Sequence, residues 1–268
     1  MACKFLLFSL SCLIVIQSMA QSGSIINGKN AAAGRYYAIR GFRLYTESYG
    51  KGTPVLLIHG NGGSINAFTP TIPYLSKKYK VIAADSRAQG KSTDFADSLS
   101  FEQMADDYAV LLDSLHMDKV DVIGWSDGGI IALLLAIRHP EKINRLVSSG
   151  ANCWPDSTAL IPSGWMEDKQ YYEKHKRTVW QTPQEKNNWK IFLLDWMQPN
   201  ISLPSLEQIH CPSLIVSGDK DVIRLEHTVA IYQHIPEAEL WVLPHSGHAT
   251  LREHSQAFNQ QVDAFFSE

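Results

Sequence analysis

Short apolar runs recur along the chain, each followed by glycine-rich or polar residues and then by a helical pattern. Six of these runs predict buried strands, at residues 55–58, 81–84, 120–124, 146–149, 214–217 and 240–243. Apolar positions with helical spacing predict helices at residues 68–77, 101–115, 127–138, 225–234 and 252–266. Two earlier segments, residues 36–40 and 42–49, predict an antiparallel hairpin at the sheet edge. This alternation predicts an α/β fold with a doubly wound, mostly parallel sheet.

The alternation stops between residues 154 and 206, where an aromatic segment of helical character takes its place. Its aromatic residues are Trp154, Trp165, Tyr171, Tyr172, Trp180, Trp189, Phe192 and Trp196. A segment of about 50 residues is too long for a plain loop, and its position between two strands places it above their carboxyl ends, where ligands bind. We therefore predict a core of residues 21–153 and 207–268 with a helical lid at residues 154–206. Most of the aromatic residues are expected to pack the lid helices together.

The first twenty residues have the pattern of a secretory signal. Lys4 precedes an almost wholly apolar run at residues 5–16, and Ser18-Met19-Ala20 offers small residues before Gln21. The apolar run is shorter than the roughly 20 residues that a transmembrane helix needs. Lipidation at Cys12 is a further alternative. We predict that residues 1–20 are a signal peptide and that the mature protein is secreted or periplasmic, without stable membrane association.

Composition limits the partners and cofactors to be expected. The 24 basic and 27 acidic side chains are well mixed, with a net charge of −3, and no basic stripe indicates nucleic-acid binding. After the signal only Cys153 and Cys211 remain, and the predicted strands place their Cα atoms farther apart than the roughly 7 Å that a disulfide allows. We predict two free thiols. Neither cysteine has a second ligand at metal-binding spacing, so we expect no metal and no cofactor.

The sequence Gly124-Trp125-Ser126-Asp127-Gly128 matches the pattern G-x-S-x-G. The pattern alone is weak, because glycine and serine are common residues. Here an apolar strand runs directly into it and a helical pattern runs directly out, which is the setting of a nucleophile elbow. A serine that caps an ordinary helix is the alternative interpretation. Ser126 is therefore the candidate nucleophile.

A serine nucleophile needs a histidine base and an acid that orients the histidine. In this motif class the acid comes before the histidine along the chain. Asp219 and Asp221 follow one late strand, and His245 and His248 follow the next. Spacing alone does not choose within either pair. The remaining candidate histidines are expected to be solvated surface groups: His227 and His254.

The loop His59-Gly60-Asn61-Gly62-Gly63 follows the first buried strand. Its glycines allow the backbone to approach a ligand. The amide N–H of Asn61 could join that of Asp127 to bind the oxyanion of a tetrahedral intermediate. An ordinary glycine turn is the alternative.

In their joint order these motifs resemble the α/β-hydrolase superfamily over residues 36–268. The matching features are the His59 loop, residues 85–92, the Ser126 elbow, Gly218-x-x-Asp221 and Gly247-His248. This resemblance implies that Asp221 is the acid of a catalytic triad and that His248 is its base.

The elbow also resembles that of the valacyclovir hydrolase family of amino-acid-ester hydrolases, in which the aspartate after the nucleophile binds the substrate's α-amino group. Asp127 has the matching position, and we expect Asp127 and Trp125 to contact the substrate. A carboxylate there would favour a cation near the acyl carbon. The alternative is that Asp127 only complements the positive end of the following helix.

The sequence thus predicts a serine hydrolase that cleaves carboxylic esters of small molecules, amino-acid esters among them, through an acyl-enzyme intermediate. The same triad in related folds cleaves C–C bonds, opens lactones or supports perhydrolysis. A small-ligand sensor that retains the triad without catalysis is the alternative from a different class of protein.

Overall fold

The computed structural model describes residues 27–268, and its centre is one eight-stranded sheet with helices on both faces. The strands are β1 (Gly34–Ile39), β2 (Phe42–Tyr49), β3 (Pro54–Ile58), β4 (Lys80–Ala84), β5 (Val120–Trp125), β6 (Ile143–Ser149), β7 (Ser213–Gly218) and β8 (Ala238–Leu243). They lie in the order β1-β2-β4-β3-β5-β6-β7-β8. Only the pairs β1–β2 and β2–β4 are antiparallel. The predicted doubly wound, mostly parallel sheet and its edge hairpin are confirmed.

The helices flank this sheet, except for two that belong to the segment predicted as a lid. They are α1 (Ile72–Leu75), α2 (Phe101–Ser114), α3 (Asp127–Arg138), α4 (Pro162–His175), α5 (Pro183–Met197), α6 (Leu225–Gln233), α7 (Thr250–Glu253) and α8 (Ser255–Phe266). The predicted helix at residues 68–77 is wrong in extent, because Pro70 and Pro73 lack the amide donors of a continuous helix. The predicted helix at residues 252–266 is divided at His254, whose φ of −124° and ψ of 43° are not helical.

The central strands are apolar without alternation because helices cover both faces of the sheet. Val55, Leu56, Leu57 and Ile58 of β3 are all fully buried. One core cluster joins β3 and β5 to α2 and α3, and a second, on the other face, joins the sheet to α1 and α8. Both layers hold the carboxyl ends of the strands rigidly at one edge.

The insertion, defined as residues 154–206, lies between β6 and β7 and contains α4 and α5. No residue of α4 is buried, whereas α5 buries Ile191 and Leu194. Aromatic rings join the two helices: Tyr172 stacks at 6.2 Å from Trp189 and at 5.2 Å from Trp196, measured between ring centroids. Most aromatic residues of the insertion therefore connect α4 to α5 and do not enter the main core.

Other sequence-based expectations fall partly outside the structure. The signal peptide predicted at residues 1–20 lies outside the described residues. Among the described residues, no helix has the length and apolar character to span a membrane. Cys153 and Cys211 are free thiols, as predicted.

His227 contradicts the expectation of a solvated surface histidine. It lies on the inner face of α6 and is only 4% exposed. Its Nε2 accepts a hydrogen bond of 2.9 Å from the amide of Cys153, and its ring lies edge-on to Trp154. Burial lowers the pKa of His227 to about 4. The imidazole is therefore neutral in the folded protein at physiological pH. Its contacts with Cys153 and Trp154 connect the start of the insertion to α6.

We predict that His227 makes the protein less stable in weak acid. The unfolded chain protonates this side chain near pH 6.5 and the folded chain only near pH 4, so its stabilisation is complete above pH 6.5 and falls as the pH drops toward 4. Between pH 7 and pH 5 the free energy of unfolding should fall by about 2 kcal/mol more in the wild type than in His227→Gln. Urea unfolding at both pH values measures this difference. Equal losses of unfolding free energy in the two proteins would contradict a buried, neutral His227.

Candidate active site

Ser126 lies at a tight turn between the end of β5 and the start of α3. Its φ of 58° and ψ of −123° are strained for a residue with a Cβ. A Cβ at Gly124 would overlap the carbonyl oxygen of Gly128, and a Cβ at Gly128 would overlap that of Ile58. Glycine on both sides therefore allows the turn, and the turn presents the Ser126 side chain at the edge of the sheet, where it is partly exposed.

The structure brings Ser126, His248 and Asp221 together from three loops. His248 Nε2 lies 2.8 Å from Ser126 Oγ, and His248 Nδ1 lies 2.6 Å from Asp221 Oδ1. The amide of Ile223 donates a hydrogen bond of 3.0 Å to the same Asp221 oxygen. The Asp221 side chain is fully buried and that of His248 is 24% exposed. This arrangement orients the imidazole toward Ser126.

The competing residues after the same two strands have other contacts. Asp219 Oδ1 accepts a hydrogen bond of 3.1 Å from the amide of Ser246. Hydrogen bonds from the amides of His245 and Ser246 lower the pKa of the Asp219 carboxyl. His245 is exposed and has a φ of 56°. Asp219 therefore holds the loop that carries His248, and neither Asp219 nor His245 contacts Ser126.

Trp125, predicted to contact the substrate, packs against His248. Its Nε1 donates a hydrogen bond of 2.8 Å to the carbonyl oxygen of His248, and the two ring centroids are 5.8 Å apart. Trp125 is not among the residues that line the neighbouring cavity. Its contacts position the loop of His248.

The amides of Asn61 and Asp127, predicted to bind an oxyanion, follow β3 and begin α3. Neither amide donates a hydrogen bond to another residue of the described chain, and the amide of Asp127 lies close to its own carboxyl group. The Asn61 side chain has a role that sequence reasoning missed. Its Nδ2 donates to Asp127 Oδ2 at 2.8 Å and to the carbonyl oxygen of Ile191 at 3.3 Å. Asn61 thus joins the β3 loop, the elbow and α5.

Asp195 of α5 is the other residue that sequence reasoning missed. Its carboxyl group lies within hydrogen-bonding distance of the Asp127 carboxyl. Burial raises the pKa of Asp127. Partial enclosure by protein, together with the adjoining charge of Asp127, raises the pKa of Asp195 well above its ordinary range. No motif could have predicted this pair, because it depends on how α5 docks on the core.

A cavity of about 520 Å³ lies beside this pair, between α5 and the loop that follows β4. Its acidic lining residues are Asp94, Asp168 and Asp195, and no Lys, Arg or His is found among the described residues of its wall. The Asp94 carboxyl is paired with Arg87 at 3.2 Å and with Lys190 at 4.0 Å behind the wall. Ser126 is not part of the wall. Asn61 and Asp195 line the cavity and also contact Asp127, the residue next to Ser126. The acidic cavity is therefore adjacent to the residue that precedes Asp127, the candidate nucleophile Ser126.

Metal-binding side chains are not grouped in this part of the molecule. Within residues 27–268, no cluster of three or more His, Cys, Asp or Glu side chains is arranged to hold a metal ion.

Comparison with known proteins agrees with the fold. The family model described as alpha/beta hydrolase fold matches residues 53–174. The chain is 30% identical to the serine hydrolase BPHL of Homo sapiens over 250 residues, which is 85% of this chain and 84% of that protein. It is 28% identical to the 2-hydroxymuconate semialdehyde hydrolase of Pseudomonas sp. (strain CF600) over 272 residues, with 88% and 94% of the two chains covered. The chain belongs to the α/β-hydrolase family.

Solved structures show the same fold at lower sequence identity. A meta-cleavage product hydrolase from Pseudomonas fluorescens IP01 has a TM-score of 0.73 at 23% identity, with 89% of this chain and 99% of that chain covered. An enol-lactonase from Burkholderia xenovorans LB400 has a TM-score of 0.72 at 20% identity, with 87% and 100% covered. At this identity the likeness establishes the architecture alone.

We predict that Gly150→Ala lowers kcat by displacing His248. Gly150 follows β6 with a φ of 66°, and a Cβ there would lie 2.9 Å from His248 Cε1 and 3.0 Å from Nδ1. Because proton transfer requires accurate placement of the imidazole, kcat for an ester should fall by at least about tenfold. Gly41→Ala is the matched control, since Gly41 also has a positive φ, of 90°, but open space around it. An unchanged kcat in Gly150→Ala would show that this contact does not position His248.

Proposed function

We propose that the protein is a serine esterase that cleaves carboxylic esters of small molecules through an acyl-enzyme intermediate. The observation that carries the proposal is the hydrogen-bonded series from Ser126 Oγ through His248 to Asp221, at 2.8 and 2.6 Å. In the proposed reaction His248 takes the hydroxyl proton as Ser126 Oγ attacks the ester carbonyl. Asp221 holds the imidazole in the required tautomer and stabilises the imidazolium ion.

The two amides and the same histidine complete the proposed cycle. The N–H groups of Asn61 and Asp127 stabilise the oxyanion of the tetrahedral intermediate. His248 then gives its proton to the departing alkoxide, which leaves as the alcohol. In the second half His248 takes a proton from water, the hydroxide attacks the acyl-enzyme, and the proton returns to Ser126 Oγ as the carboxylic acid is released.

Within the esters, we propose that amino-acid esters are the preferred substrates. The adjacent cavity has Asp168 and Asp195 in its wall, whereas its third aspartate, Asp94, is paired with Arg87. Such a wall attracts a cation and repels an anion. Together with the resemblance of the elbow to amino-acid-ester hydrolases, this supports an ammonium group near the acyl carbon.

The other reactions of the fold suit this cavity less well. One relative is named as a hydrolase of 2-hydroxymuconate semialdehyde, and one structural neighbour as an enol-lactonase. A substrate that carries a carboxylate would be repelled by Asp168 and by the charge that the Asp127–Asp195 pair carries. Perhydrolysis has no specific support in the described residues. A sensor that retains the triad differs from an esterase by the absence of turnover.

We also propose a location outside the cytoplasm, secreted or periplasmic, for this esterase. The support is the basic start and the apolar run within residues 1–20, which are typical of a secretory signal.

We predict that the charge of the acyl group controls the rate among esters of similar size. Suitable substrates are the methyl esters of valine and of 3-methylbutanoic acid and the monomethyl ester of isopropylmalonic acid, which are cationic, neutral and anionic at pH 7. The value of kcat/KM should fall in that order by at least about tenfold at each step, or about 1.4 kcal/mol. High salt should reduce the differences in kcat/KM among the three esters. Ser126→Ala should abolish turnover of all three esters.

Three results would contradict parts of this proposal. Equal rates for the cationic and neutral esters would overturn the amino-acid-ester preference. Faster cleavage of the anionic ester would favour an anionic substrate, as in the relative named as a 2-hydroxymuconate semialdehyde hydrolase. The absence of turnover for every ester would favour a sensor.

A further inference from the structure

Asp127 is poorly placed to contact a molecule in the acidic cavity. The residue is only 2% exposed and does not belong to the cavity wall. Its carboxyl group is occupied by the Asn61 amide, which donates at 2.8 Å, and by the Asp195 carboxyl. Asp195, in contrast, lies in the wall and is exposed to the water of the cavity.

We propose that Asp195, on the insertion, is the residue that directly binds the ammonium group of the substrate, and that Asp127 is a positioning residue behind it. The proposal rests on the proposed function, because it assigns the contact that makes an amino-acid ester the preferred substrate. It differs from the expectation for the elbow, in which the aspartate after the nucleophile makes this contact.

The two carboxyl groups cannot both be ionised at low cost when the cavity holds no cation, because like charges at hydrogen-bonding distance repel. Asn61 and the N-terminal end of α3 favour ionised Asp127. The proton of the pair therefore resides on Asp195, whose pKa is raised by its partial enclosure and by the neighbouring Asp127 charge. Asp168 of α4 and His248 are the other charged or titratable groups that act on Asp195.

An ammonium group in the cavity can replace this proton at the Asp195 carboxylate. The proton leaves to solvent, and the ammonium group then donates hydrogen bonds to the Asp195 carboxylate. A separate feature of the wall also suits a donor. Gln89 is a lining residue that is only 4% exposed, and its Oε1 accepts no hydrogen bond within the described chain. The wall residues therefore include one further buried acceptor that has no donor within the described chain.

Two amide substitutions distinguish Asp195 from Asp127. An asparagine side chain at position 127 can still accept a hydrogen bond from Asn61 and can donate one to the Asp195 carboxylate. These two hydrogen bonds keep Asp195 in place. The quantity to measure is the ratio of kcat/KM for valine methyl ester to that for methyl 3-methylbutanoate. Asp195→Asn should lower this ratio by at least about tenfold, mainly through KM, whereas Asp127→Asn should change it by less than about threefold.

Glu167→Gln is the matched control for charge alone. Glu167 is an exposed acidic residue of α4, next to Asp168, and does not line the cavity. The ratio should not change in this variant. The neutral ester serves as an internal reference for folding and for the triad in every variant.

The outcomes separate this inference from the proposed function. A wild-type ratio near one would overturn the amino-acid-ester preference itself. A high wild-type ratio that is lost in Asp127→Asn and kept in Asp195→Asn would leave the preference intact and overturn the role of Asp195. Equal losses in both variants would also overturn the distinction between binding and positioning residue.

A second measurement tests the displaced proton. Binding of isobutylamine to Ser126→Ala can be followed by calorimetry at pH 7 in buffers of different ionisation enthalpy. The binding should release up to about one proton, and the release should vanish when Asp195→Asn is added. Tight binding without proton release, or release that persists in the double variant, would contradict the proposal.

Discussion

The close approach of β3, β5 and α3 around Ser126 is the constraint on which the rest of the site depends. Gly124 and Gly128 have no side chain there because the neighbouring carbonyl groups leave no space for a Cβ. The strained backbone of Ser126 persists because the following helix is almost wholly buried between the sheet and α2. The same approach places the amide of Asp127 near the loop of Asn61. Backbone packing therefore fixes the proposed nucleophile and the proposed oxyanion donors together.

The proposed catalytic groups and the charge of the cavity come from different parts of the fold. Ser126, Asp221 and His248 are held by loops at the carboxyl ends of core strands. The acidic wall comes largely from the insertion, through Asp168 and Asp195, and Asn61 joins the two by its bonds to Asp127 and to Ile191. Because α4 has no buried residue, its packing depends on aromatic contacts with α5. Changes in the insertion can therefore alter substrate preference without disturbing the proposed triad.

Local patterns predicted most of the fold because the strands are continuous apolar runs and the elbow has its own flanking strand and helix. They did not choose Asp221 over Asp219 or His248 over His245, since each pair shares one loop. The family resemblance made that choice, and the contacts of the four side chains agree with it. Asp195 could not be found from sequence, and His227 was misplaced on the surface, because both depend on docking between elements distant in the chain. The contact of Trp125 with His248 was not predicted for the same reason.

The central claim is that His248 and Asp221 activate Ser126 as a nucleophile. Labelling with a fluorophosphonate, followed by peptide mass mapping, tests it most directly, because the reagent modifies serines that are activated in this way. The account predicts one label, on Ser126, that is absent in Ser126→Ala and forms at least about a hundredfold more slowly in His248→Ala. A label on another residue, or labelling at an unchanged rate in His248→Ala, would contradict it.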